Sequence, residues 1–186
     1  MVPIMALWVP ILVSAVFVFV ASSIIHMVLG YHRADYKQVP SEDAFLAAMR
    51  QQKIAPGDYV VPCVRSEKEM KSPEYLKKRA EGPVVVMTVV PGGPVSMGGQ
   101  LLQWFLYCAF IGLFAGYIAG RALPAGADYL AVFRFTGATA FSGYSLAQIQ
   151  QSIWYKRSWG TTFRNMLDGL LYGLLTGGVF GWLWPH

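Results

Sequence analysis

Residues 6–30 carry no Asp, Glu, Lys or Arg and run through WVPILVSAVFVFVASSIIHMVLG. A bilayer core of about 30 Å is crossed by about 20 helical residues at 1.5 Å each, so this stretch is long enough to span. Three later stretches meet the same requirement: Leu101 to Gly120, Tyr129 to Ile149 and Met166 to Trp184. The pattern predicts an all-α membrane protein, a four-transmembrane-helix bundle with a small α/β segment between the first and second spans. The expected organisation is 1–30 for the first span, 31–99 for the soluble segment and 100–186 for the remaining three.

Composition agrees. Only 13% of residues are charged, about half the usual soluble share, and mean hydropathy is +0.42. The net charge of +5 comes from basic residues that adjoin the spans, which fits an anionic leaflet and argues against nucleic acid. All six Trp residues fall near expected span ends or in a short flanking loop, where indole prefers to sit. Ten Lys and Arg lie in 31–99 and Lys156, Arg157 and Arg164 in the next loop on the same side. Positive charge stays cytoplasmic, so both termini are expected on the periplasmic or exterior side of a bacterial inner membrane. Cys63 and Cys108 lie in different surroundings and read as free thiols.

Within 31–99, Ser41 is expected to cap a helix over Glu42 to Lys53, ended by the turn at 55–58. Ser72-Pro73 opens a second helix with Gly82 just past its end, and Val84 to Val90 reads as a strand.

Glycine recurs at every fourth position in two spans: Gly112, Gly116 and Gly120, then Gly169, Gly173, Gly177 and Gly181. A shorter row of small residues, Thr139, Gly143 and Ala147, lies in the third. Spacing of four aligns each set on one helix face, where backbones approach closely. Such a face packs the bundle internally or joins copies of the chain.

Ionisable and amide groups inside the spans mark candidate sites: His26, Arg134, Gln148 and Asp168. His26 is followed by His32 and Asp35, and imidazole with carboxylate suits a transition metal. A structural alternative gives His26 an interhelical hydrogen bond with Asp168 or a glutamine of 148–151 as its partner. Asp168 has its own structural reading, as the third helical residue after an Asn165 cap. Arg134 either snorkels to the headgroups or pairs with Asp128. A two-histidine haem lacks a second intramembrane His, and serine hydrolase chemistry lacks a base and its orienter.

The stretches IIHMVLGYHRADY (24–36) and LDGLLYGLLTGGVFGWLWP (167–185) resemble a group of uncharacterised bacterial inner-membrane proteins. That resemblance implies a membrane location and supplies no chemistry. The expected function is a non-enzymatic accessory or self-assembling membrane component, its partners the bilayer and itself or other membrane subunits, with no cofactor required. The alternatives are a metal- or proton-handling protein using His26, His32 and Asp35, and a small-solute channel or transporter.

Overall fold

The computed structural model describes residues 1–94 and 96–186. It is mostly helical with one two-stranded sheet, and it divides into two compact units, Met1–Tyr36 with Ser96–His186 and Lys37–Val95.

In the first unit, a 3-10 turn at Ile4–Leu7 leads into α1 (Trp8–Ser23), which continues through a π-helical turn at Ile24–Leu29. Gly30, with φ +63°, ends this helix in the left-handed conformation open to glycine. A 3-10 turn at Tyr31–Asp35 follows. After residue 95 come α5 (Gly98–Ala122), α6 (Tyr129–Ser145), a 3-10 turn at Leu146–Gln148, α7 (Ile149–Trp154) and α8 (Trp159–Trp182). α6 lies chiefly along α8, while α1 packs on α5 and α8.

Among the described residues, two helices are long and apolar enough to cross a membrane, Ile4–Leu29 and Gly98–Ala122. About a third or less of each is buried, whereas a core helix of a soluble protein is mostly buried. The third and fourth expected spans are not recovered as such. α6 is only 17 residues long before the 3-10 turn interrupts it. α8 has the length, but Gly, Thr, Asn165 and Asp168 dilute its apolar character.

α8 also begins earlier than expected, at Trp159 behind Ser158, and runs through Gly160 to Asn165 without interruption. Asn165 and Asp168 are therefore interior helix positions and not caps. Their side chains are free to work elsewhere.

The glycine rows face other helices of the same unit. A Cβ on Gly112 would come 3.2 Å from the Ser14 hydroxyl, on Gly116 3.1 Å from the Phe180 ring, and on Gly120 2.7 Å from the Val2 carbonyl oxygen. On Gly173 and Gly177 it would meet the carbonyl oxygens of Gly137 and Phe133 at 3.0 and 2.9 Å, and on Gly181 the Tyr129 ring at 2.7 Å. Gly169 abuts Ser145, and Gly143 abuts Ile111.

The second unit holds α2 (Glu42–Gln51), β1 (Gly57–Val61), α3 (Glu67–Met70), α4 (Pro73–Glu81) and β2 (Val85–Val89). Ser72 caps α4 by accepting the Tyr75 N–H, and Gly82 follows its end, as the Ser-Pro signal implies. Ser41 sits at the start of α2 without a side-chain bond. β1 pairs antiparallel with β2 from Gly57 opposite Val89 to Val61 opposite Val85. The sequence reading missed β1, because its first residues belong to the Pro-Gly-Asp turn signal.

Candidate metal centre

Two helix irregularities create the site. The π-helical turn at Ile24–Leu29 carries His26, and π turns inside helices recur at functional positions. The 3-10 turn at Tyr31–Asp35 has three residues per turn, which sets His32 and Asp35 on one side. Gly30 joins the two turns tightly: a Cβ there would lie 3.1 Å from the Arg33 Nε. The reversal stacks the rings of His26 and His32, with centroids 4.5 Å apart and planes 5° from parallel.

α8 contributes the other half. Arg164, Asp168 and Tyr172 are spaced by four and so share a face. Asp168 Oδ2 lies 2.7 Å from His32 Nε2, one proton joining the two. His32 Nδ1 donates to Asp35 Oδ2 at 2.6 Å. Arg164 donates to Asp35 Oδ1 through Nε at 2.8 Å and through Nη2. The result is an unbroken chain: Asp168, His32, Asp35, Arg164.

The Asp35 side chain is only 4% exposed. Burial pushes its carboxyl pKa up, but hydrogen bonds from His32, Arg164 and Thr161, with the Arg164 charge, outweigh it and hold the pKa below 3.8. Asp35 is thus a fixed carboxylate. It orients His32 by holding the Nδ1–H.

His26 is held differently from expectation. Its Nδ1 donates to the Ser22 carbonyl oxygen at 2.9 Å, one turn back on its own helix, and Asp168 serves His32 instead. Since a carbonyl can only accept, Nε2 is the nitrogen left with a lone pair. Both histidines therefore have Nδ1 occupied. That pattern, an outer acceptor on one ring nitrogen, is how metal-ligating histidines are oriented.

His26, His32 and Asp168 each offer one ligand atom, and the three atoms lie within 4.8 Å of one another. The sequence set of His26, His32 and Asp35 is therefore altered. Asp35 stands behind His32 with both oxygens engaged, and Asp168 stands beside the two rings. The fit to an ion requires modest opening. Bonds of about 2.0–2.1 Å hold tetrahedral ligand atoms about 3.3 Å apart, against the present 2.7 Å between His32 and Asp168. His26 is exposed, so its ring has room to turn.

A cavity of about 140 Å³ is lined by His26 and Asp168, together with Trp104, Tyr107, Tyr144, Gln148, Asn165, Gly169 and Tyr172. Trp104 is not a headgroup anchor here: its Nε1 donates to the Ser22 hydroxyl at 2.7 Å. Gln148 reaches the cavity, while Gln150 and Gln151 are exposed. Arg134 is exposed and forms no ion pair among the described residues, and Asp128 instead caps α6 by accepting the Leu130 and Ala131 N–H groups.

Arg164, Trp104 and Tyr172 escaped the sequence reading as site residues. The signal was the spacing of four that sets Arg164, Asp168 and Tyr172 on one face of α8; Arg164 served only as a topology charge. No protein-family model, curated protein or solved structure matches this chain.

Proposed function

We propose that the chain is a membrane protein that binds a divalent transition-metal ion through His26, His32 and Asp168. The observation that carries this is the convergence of one ligand atom each from His26, His32 and Asp168 within 4.8 Å of one another. Two imidazoles and a carboxylate suit Zn, Fe, Ni or Cu better than Mg or Ca. Three protein ligands leave one position of a four-coordinate ion open, the arrangement of metal sites that bind or transform a ligand. Because the glycine rows are taken up inside the bundle, we rank metal binding above self-assembly.

The purified, detergent-solubilised chain should hold about one ion after loading with Zn or Co and removal of excess. His26→Ala and Asp168→Asn should each abolish that binding. Wild type that binds neither ion overturns the proposal.

A second reading, proton handling, draws support from the continuous chain of Asp168, His32, Asp35 and Arg164. His26 is not in that chain. A proton-linked activity that survives His26→Ala but not His32→Ala would favour it.

The same proposal includes four spans in a bacterial inner membrane, with 31–99 cytoplasmic. Support for α8 as a span comes from its inverted faces: Leu167, Leu171 and Leu174 are exposed while Gly169, Gly173 and Thr176 are buried. Leu130 and Phe135 of α6 are exposed likewise, beside buried Thr136. Such outward apolar faces suit lipid and not water. Cys63 is exposed on the second unit. An impermeant thiol reagent should label it in inverted vesicles but not in intact cells, and labelling in intact cells overturns the orientation.

A further inference from the structure

Tyr172 is 3% exposed, and its hydroxyl, shielded from solvent, has no hydrogen-bond partner among the described residues. Buried hydroxyls are almost always satisfied, and one left over calls for a partner beyond the described residues. Tyr172 lies one turn beyond Asp168 on the same face of α8 and lines the same cavity. The side-chain amides of Gln148 and Asn165 line it as well.

The volume limits the occupant. At about 30 Å³ for each water-sized group, about 140 Å³ admits about five such groups. Charge limits it further. A divalent ion on two neutral imidazoles and one carboxylate keeps a net positive charge, which favours an anionic oxygen at the open position. A phenol hydroxyl donates to such an oxygen. Trp104 and Tyr144 supply aromatic wall for a small apolar substituent.

Resting on the metal reading above, we infer that this cavity binds a small oxygen-donor anion of the carboxylate or hydroxamate class. One oxygen completes the coordination of the ion and the anion accepts a hydrogen bond from the Tyr172 hydroxyl. The site would take a compact acid of about five non-hydrogen atoms and exclude bulky ones.

The test uses the full chain in detergent loaded with Co(II), whose visible absorption changes when its coordination changes. Titration with acetohydroxamate should give a saturable change at one ligand per ion. Tyr172→Phe keeps the ring and should keep Co(II) affinity, while weakening acetohydroxamate by about ten-fold or more. Benzohydroxamate, with its larger ring, should bind wild type at least about ten-fold more weakly than acetohydroxamate, a comparison that needs no variant to fold. If wild type binds Co(II) but acetohydroxamate leaves its spectrum unchanged, the ligand site is overturned and the metal site stands. Equal affinity in Tyr172→Phe, or for the two hydroxamates, also overturns it. Failure of wild type to bind Co(II) overturns both.

Discussion

The helical unit has two unlike ends. At one, Val2, Leu7, Val132, Phe180 and Trp184 form a buried apolar cluster. Its polar groups are matched: the Val2 N–H donates to the Gly120 carbonyl at 2.8 Å, the Gly126 N–H to that of Pro185 at 2.8 Å, and Trp184 Nε1 to that of Pro124 at 2.9 Å. At the other, the helices that begin or end there hold His32, Asp35, Arg164 and Asp168 near a cavity, with the Tyr172 hydroxyl unmatched among the described residues. One end is optimised for packing. The other keeps buried charge and a buried hydroxyl without a partner among the described residues, features that folded chains retain chiefly at functional sites. The difference teaches that close packing at the sealed end supplies stability that the polar end consumes.

The sharpest way to break this comparison is to damage the sealed end alone. Phe180 is fully buried there, and Phe180→Ala should destabilise the detergent-solubilised chain by about 3–5 kcal/mol, read as a large fall in its melting temperature. The variant should still bind one ion below that temperature. Loss of metal binding while the variant remains folded would mean that the two ends do not divide the work.

Next in size is a contrast on α8 itself. Gly177→Leu drives a branched side chain into the Phe133 carbonyl and ring and should cost about 1–3 kcal/mol or more. Leu170 is 43% exposed, so Leu170→Ala should cost markedly less in the same melting assay. Equal loss in the two variants would remove the distinction between the packed and outward faces.

The smallest effect concerns the polar end. Asp35→Asn should leave one ion bound at saturating metal but weaken its affinity by about 10–100-fold, as for other outer-shell carboxylates. Complete loss would make Asp35 a ligand after all. The pH dependence has a definite sign. With its folded pKa held below 3.8, Asp35 contributes stability that is fully present above its ordinary value and is lost as pH falls through the lowered one. The stability difference between wild type and Asp35→Asn in metal-free protein should therefore be constant near pH 7 and shrink on acidification towards about pH 3.

Much of this was readable in the chain. The uninterrupted apolar run of 6–30 determined a long helix, because an extended apolar stretch without charge has few other stable forms. Ser72, Pro73 and Gly82 determined the limits of α4, since caps act within a single turn. The glycine spacing aligned each row on one face of its helix, because a period of four maps directly onto a helix surface. His26 and His32 were recognisable as candidates because histidine is rare in so apolar a setting.

Only the tertiary structure decided what those residues meet. Asp168 is 136 positions from His32 and Arg164 is 129 from Asp35, and no local rule pairs residues so far apart. Local rules in fact favoured a wrong role for Asp168, since Asn165 and Asp168 together imitate a helix start. The π-helical turn and the Gly30 reversal stacked two imidazoles that simple helical spacing would have kept apart. Secondary structure answers to neighbours within a few residues, whereas the site answers to helices brought together by packing.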